Sequence, residues 1–369
     1  MKRLCGIVLL SMLLTGCADE KILEKVGFMR TIAYERAGEG DDSLIRVSIS
    51  IPMSDLRQSL LYSTLAKTTE EAKLAFDRQN NRKIVKGQLR QVLFDESLAK
   101  GGTKKHIDYL MRDPSVGSRI HVLVTEGDMQ EMLAKLYLHK RSTAGEYIDN
   151  LIRTEARVQA IPDTNLYSFV RDYYDDGIEP VAAIIKENGD DNLTICGIAL
   201  FRKDRLVARI QPEDKTLLML LRKNLQAGEL YLDMSEGEEH GEQATLSYIA
   251  SSRKVRVEYD AGEDEQPPKV TIRITMKGSL LEYVGERRFE NARDQRELEQ
   301  AMGDMIQRRC EPIIRIMQQH KADCIGIGQY ARQQMSYEEW TRRDWNERFA
   351  EADIRVQVKV HIKNYGELR

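Results

Sequence analysis

Strand-like runs that alternate with helical ones constrain this chain most, because a strand repeatedly followed by a helix has few layered arrangements open to it. The run LIRVSISIPM, residues 44–53, carries the β-branched alternation of a strand and ends at a proline. Ser54 is placed to cap a helix beginning DLRQSLL. TTEEAKLAFDRQNN follows, with Thr69 as its N-cap, Glu70 and Glu71 in the first turn, and Leu74 and Ala75 on one face. KGQLRQVLFDESLAKGG reads as a strand through Leu93 and Phe94, a short helix, and a stop at Gly101 and Gly102. The idea recurs with a helix from Thr103, a break at Pro114, a strand Ile120 to Val124 and a helix from Asp128. Residues 142–160 form a further helix that buries Tyr147, Leu151 and Ile152. DTNLYSFVRDYYDD forms the next, leading to the strand EPVAAII. Such alternation implies an α/β layer arrangement, and no fixed-period repeat competes with it.

After the polar segment KENGDDN, residues 186–192, the texture changes. LTICGIALFRKDRLVARI is a hairpin turning at Lys203 and Asp204, and PEDKTLLMLLRK is a helix with Pro212 in its first turn. GELYLDM, QATLSYIASSRKVRVEY and PKVTIRITMKGSLLEY are β-rich. In the longest helix Leu298, Met302, Met305, Ile306, Ile313 and Met317 fall near the helical period, and a kink is expected at Pro312. The last strand puts Ile354, Val356, Val358, Val360 and Ile362 on one face. The fold class is therefore mixed α/β, or α+β, in several domains: an N-terminal α/β part, 17–190, and a C-terminal antiparallel sheet packed with a long helix, 191–369.

No catalytic set emerges. The chain has no GxxxxGK[ST], HExxH, CxxC or GxSxG, and GIGQYAR, with Gly326 and Gly328, lacks the third glycine of a dinucleotide loop. Cys310, His320 and Cys324 have spacings foreign to zinc sites and no fourth ligand, so they read as packing plus a helix-end histidine. Asp233, Glu236, Glu238, Glu239, His240 and Glu242 crowd one segment without the ligand register of a calcium loop, and read as a solvated acidic loop. Trp340, Trp345 and Phe349 lie close to a helical stripe, which points to a core or domain interface. Tyr173, Tyr174, Asp175 and Asp176 before Gly177 read as a helix end. The expectation is therefore no enzyme, no metal, no cofactor and no identifiable ligand-binding residue. Cys196, Cys310 and Cys324 read as buried small hydrophobes, although the last two could pair if the fold brought them close.

The first residues carry different information. Lys2 and Arg3 precede an apolar run from Leu4 to Leu14 that ends in Leu14, Thr15, Gly16 and Cys17. This is the layout of an export signal, residues 1–16, and its run of roughly 16 Å is too short to span a bilayer. The order LTGC resembles the lipobox of bacterial lipoproteins, whose cysteine thiol takes a diacylglyceryl group. Cys17 would then anchor the chain to a membrane, and several acyl chains at ~0.8 kcal/mol per buried CH₂ hold firmly. With 31% charged residues and a formal net charge of −3, which becomes about −5 when Lys2 and Arg3 are lost, the chain has no electrostatic footprint for nucleic acid.

Together LTGC, RDPSVGSRIHVLVTEGDMQEML, GIALFRKDRLVARI and the closing CIGIGQYAR with VQVKVHIKNYG resemble the C-subunit lipoproteins of spore nutrient germinant receptors, the Ger(x)C family. Ala18 and Asp19 stand where that family commonly has Trp and Asp after the lipidated cysteine. The resemblance implies a non-enzymatic subunit with a mixed α/β fold, lipid-anchored on the outer face of the spore inner membrane. It also implies work with two integral-membrane subunits to trigger germination, and it carries over no site residue except Cys17. The alternative is a solute-binding lipoprotein of a transporter, which would show two similar α/β lobes around a cleft.

Overall fold

A computed structural model of the protein describes residues 26–38, 44–53, 59–138, 144–189, 192–234, 242–258, 266–285, 289, 291–342 and 344–365. Strands β1 (Val26–Phe28), β2 (Thr31–Arg36), β3 (Ile45–Pro52) and β4 (Ser59–Ala66) precede helix α1 (Thr69–Gln79). Next come β5 (Lys83–Val85), β6 (Gln91–Asp95), α2 (Glu96–Gly101), α3 (Lys104–Arg112) and β7 (His121–Glu126). They are followed by α4 (Met129–Leu138), α5 (Ala144–Arg157), α6 (Leu166–Tyr174) and β8 (Val181–Glu187). A hairpin of β9 (Leu193–Arg202) and β10 (Arg205–Ile210) leads to α7 (Lys215–Arg222), β11 (Leu230–Asp233), β12 (Gln243–Glu258) and β13 (Lys269–Val284). The chain closes with α8 (Ala292–Gln319), α9 (Ile327–Arg332), α10 (Tyr337–Arg342), α11 (Trp345–Glu351) and β14 (Asp353–Asn364).

The larger sheet has eight strands in the order β10-β9-β8-β7-β6-β2-β3-β4, and its centre, β8-β7-β6-β2, is parallel. Parallel strands linked by helical crossovers are covered on both faces, so both alternating sets of side chains must be apolar. Val92, Phe94, Val122 and Val124 accordingly face a core with Phe76 of α1, Leu98 of α2, Ile107 of α3 and Phe169 of α6. Leu93, Leu123, Ala183 and Ile185 face the opposite way onto Met132 of α4 and Ile152 of α5. The second sheet, β11-β12-β13-β14, is antiparallel through β13, and β14 joins it parallel because α8 to α11 carry the chain back before it enters. Leu298, Met302, Met305, Ile306, Ile313 and Met317 of α8 all pack in that sheet's core, and α8 runs through Pro312 to Gln319.

Several local expectations change. Ser59 to Leu61, expected within a helix from Ser54, lie in β4 and pair with Pro52, Ile51 and Ser50; residues 54–58 are outside the described ones. The ladder to the buried strand β3 outweighs the helical spacing of DLRQSLL. The cap of α1 is Thr68, whose Oγ1 accepts from the Glu71 N–H at 3.1 Å, while Thr69 is buried and donates to the Tyr34 hydroxyl. The larger Phe76 then takes the core with Ala72 and leaves Leu74 exposed, against the expected Leu74/Ala75 face. The hairpin β9-β10 completes the first sheet, so residues on both sides of position 190 build it. The Asn188 N–H donates to the Asn192 carbonyl at 2.9 Å at the end of the β8-β9 ladder, where the two strands are antiparallel neighbours.

One core cluster spans both halves. Val181, Ile198, Leu200 and Ile210 from the large sheet meet α7, whose residues 217–221 are all buried, and through it Leu246, Ile272, Met276 and the inner face of α8.

Candidate functional site

The two sheets meet at a buried polar junction. Glu179 lies two residues before β8, Asp172 lies on α6, Arg222 ends α7, and Asp323 to Gly326 belong to the bend between α8 and α9, whose first turn holds Gly328. The Glu179 N–H donates to the Asp323 carbonyl at 2.9 Å, and Arg222 donates to the Cys324 and Glu179 carbonyls. Arg222 Nη2 also pairs with Asp172 Oδ2 at 2.5 Å, both side chains being largely buried. Asp323, 0% exposed, accepts at Oδ2 from the Gly328 N–H at 2.7 Å and from Trp345 Nε1 at 2.8 Å. Asn346 Nδ2 donates to Glu179 Oε1 at 2.7 Å, and the Lys203 N–H donates to Glu179 Oε2. The Glu179–Asp323, Arg222–Cys324 and Asn346–Glu179 contacts thus tie the start of β8 and the end of α7 to the bend after α8 and to α11.

Close backbone approach explains two glycines. A Cβ on Gly328 would stand 2.5 Å from Trp345 Nε1 and 2.7 Å from Gly177 Cα, and one on Gly177 would stand 2.6 Å from the Gln329 nitrogen. Gly177 and Gly328 therefore touch face to face, which no larger residue permits. The GIG of residues 326–328 is a domain contact and not a phosphate cradle.

Burial pushes the Asp323 and Glu179 carboxyls above their usual range, against the N–H donors that favour their charged forms. Each carboxylate is held by structural donors, and none of the hydrogen bonds at this junction joins a hydroxyl or thiol nucleophile to a base. Cys324 has its Sγ against the Pro180 and Phe201 carbonyls at 3.7 and 3.6 Å, and burial holds its thiol well above the ordinary value. The arrangement is a clamp between two sheets.

Trp345 and Phe349 are buried at this clamp and on α11, and Trp340 stacks on Trp345 with ring centroids 5.7 Å apart, an interface role. Asp175 accepts from Gln329 Nε2 at 2.8 Å, so the acidic end of α6 also joins the contact, while Tyr174 stays exposed. Cys196, Cys310 and Cys324 are buried free thiols, and His320 is the C-cap of α8. Among the described residues no group of three or more metal-ligating side chains comes together. Residues 235–241 of the acidic segment, and Cys17, lie outside the described residues. Asp172, Glu179, Arg222 and Asn346 were not singled out by the sequence reading. Their signal was a charge set directly against apolar runs, as in EPVAAII and TLLMLLR.

A cavity of about 470 Å³ opens beside the end of β2 and is lined by Arg36, Leu98, Lys104, Lys105, Asp108 and Asp204 among others. It does not lie between two similar lobes: one half is an eight-stranded sheet covered on both faces, the other a four-stranded sheet covered by α8 on one.

Two family models divide the chain between them. Residues 19–187 match "Spore germination protein N-terminal domain", and residues 196–366 match "Spore germination B3/ GerAC like, C-terminal". The chain belongs to the Ger(x)C family of spore germination proteins. Among relatives, it is 24% identical to "Spore germination protein GerQC" of Bacillus cereus over 99% of each chain. It is 22% identical to "Putative spore germination protein YfkR" of Bacillus subtilis (strain 168) over 98% of this chain and 96% of that one. The crystal structure of the GerBC protein shares the fold with a TM-score of 0.59 at 14% identity, covering 90% of this chain and 97% of that chain.

Proposed function

We propose that this Ger(x)C chain is the lipid-anchored, non-enzymatic C subunit of a spore nutrient germinant receptor, assembled with two integral-membrane subunits on the outer face of the spore inner membrane. The observation that carries the reading is the pair of family matches, 19–187 and 196–366, which together span nearly the whole chain. The LTGC sequence supports it by supplying an acylation site at Cys17 after a signal of residues 1–16. No helix among the described residues is long and apolar enough to cross a membrane, so in this reading the attachment falls to Cys17. The proposed division at residue 190 leaves the β9-β10 hairpin of the second part in the eight-stranded sheet of the first, and the Asp323 clamp ties the two sheets together.

Capture of the tagged chain from spore membranes is expected to bring down two polytopic proteins, and recovery of the chain alone overturns the reading. Cys17→Ala is expected to release the chain from membranes or block its processing. Unchanged partitioning into the detergent phase would show a different anchor.

A further inference from the structure

The second sheet has one face on α8 and the other in solvent, and the register of its three long strands decides what the outer face displays. Directly paired residues share a face. The outward rows run Arg256/Thr271/Arg355, Lys254/Arg273/Gln357, Ser252/Thr275/Lys359 and Ala250/Lys277/His361. Arg256, Lys254, Arg273, Lys277, Arg355 and Lys359 are all exposed, and these four rows contain no carboxylate. The carboxylates stand in the row before them, Glu258/Lys269/Asp353, where Glu258 pairs with Arg256 at 2.9 Å and Asp353 with Arg355 at 3.0 Å. The β12–β13 connection at that same end adds Asp260, Glu263, Asp264 and Glu265 in sequence. Positive charge therefore grows along these rows toward Lys277 and Lys359, which have no ion-pair partner among the described residues, and beyond them only Glu282, paired with Thr245, and Asp233 on β11 return carboxylates to the exposed side of the described sheet.

At that basic end the backbone holds up an aromatic ring. The register slips between Ser247 and Ala250, and within the slip Tyr248 takes φ 52° and is 82% exposed. A left-handed tyrosine is costly for its backbone, of order 1–3 kcal/mol. Its solvent-facing ring gains no core packing in exchange. Beyond it on β13 and its end, Leu281 and Val284 are exposed as well.

A broad field of lysine and arginine with an amphipathic ring and aliphatic side chains at its tip is the composition of a surface that rests on anionic lipid headgroups. Protein interfaces are depleted in lysine at their centres, and single-stranded nucleic acid needs a succession of stacking rings where the described part of this face has Tyr248 and, on β11, Tyr231. On the proposed anchoring at Cys17, on which this step rests, the lipidated residue lies nine residues before β1, so the chain between them reaches at most about 30 Å and keeps the body near the bilayer. We propose that the outer face of the β12-β13-β14 sheet docks on an anionic lipid bilayer, Lys254, Lys277 and Lys359 meeting headgroup phosphates and Tyr248 entering the interfacial layer.

The test uses the full chain with Cys17→Ser, so that no acyl chain contributes and the outcome is independent of the tether reading. Sedimentation with phosphatidylcholine vesicles is compared with vesicles that also contain phosphatidylglycerol. Binding is expected only to the anionic vesicles and is expected to weaken with added salt. At about fivefold per cation near an anionic surface, Lys254→Gln, Lys277→Gln and Lys359→Gln together reduce partitioning roughly 100-fold. Lys67→Gln, Lys100→Gln and Lys105→Gln, on the first half, leave it unchanged, and far-UV circular dichroism checks that both triple variants fold. Equal binding to neutral and anionic vesicles overturns the proposal, as does full retention by the first triple variant. Retention on an acidic peptide or an oligonucleotide, with no vesicle binding, also overturns it and reassigns the face.

Discussion

The hydrogen bond from Trp345 Nε1 to Asp323 Oδ2 gives a quantitative test of the clamp. Asp323→Ala leaves two buried donors, Trp345 Nε1 and the Gly328 N–H, without an acceptor, and each orphaned group costs about 1–3 kcal/mol. The expected loss is about 4 kcal/mol, a large part of the 5–15 kcal/mol that holds an ordinary domain together. Trp345→Phe removes one donor and keeps most of the ring that stacks on Trp340. Once Asp323 is gone, the indole N–H is a liability, so Trp345→Phe should cost far less in the Asp323→Ala background than in the wild type. A hydrogen bond to a charged acceptor sets that coupling at about 1.5–3 kcal/mol. Urea unfolding of the four proteins, followed by circular dichroism, measures it. A single transition is expected because one apolar cluster joins Val181 and Leu200 to Ile272 and Met305. Single losses that add to within about 0.5 kcal/mol would refute the idea that Asp323 and Trp345 form one unit.

His106 is 2% exposed, its ring lies 4.4 Å from that of Tyr34, its Nε2 has no hydrogen-bond partner among the described residues, and burial lowers its pKa to about 3. The unfolded chain binds the extra proton first, so stability falls as pH drops below about 6.5. His106→Phe should therefore be near neutral at pH 7 and gain about 2 kcal/mol over wild type at pH 5; equal differences at both pH values in urea titrations would refute this. Burial pushes the Cys196 thiol up to about 11 and Cys310 to about 12. A disulfide-exchange reagent should label these two and Cys324 only on unfolding, and rapid labelling of the native protein would contradict their burial. Gly328→Ala forces Trp345 or Gly177 to move and should lower stability by about 1–3 kcal/mol, with the midpoint of urea unfolding as the readout.

The parallel centre of the large sheet was legible because VLF, VLV and VAAII are apolar at every position, a demand that only strands covered on both faces impose. The inner face of α8 was legible for a related reason: its period survives over 28 residues. β4 was not, since SLLYSTLA carries no strict alternation and becomes a strand only against β3. The clamp was hidden more deeply. Asp323, Glu179 and Arg222 are far apart in sequence and carry no shared motif, and beside Trp345, Asn346 and Asp172 their partners are backbone carbonyls and amides that any sequence offers. GIG at residues 326–328 was visible as a signal, yet its cause, contact with Gly177 across the junction, exists only once both sheets are folded.

A net charge of −3 is an average, and averages conceal sheets. Strand alternation sends every second residue to the same side, so KVTIRITMK and IRVQVKVHIK each divide into an apolar string and a cationic one. Placing β14 parallel to β13 aligns Arg273 with Gln357 and Thr275 with Lys359, and the cations of three strands then add on one face while the acids collect at the hairpin end. The excluded overall footprint for an anionic partner and the basic face are therefore compatible. What decides attraction at contact is the charge within about 10 Å, the reach of an unscreened field at 0.1 M salt, and not the charge of the whole chain. A clamp that fixes this sheet to the large one also fixes the direction of that face. Loosening the clamp at Asp323 should then weaken the preference of the folded protein for anionic over neutral vesicles even though every lysine is retained.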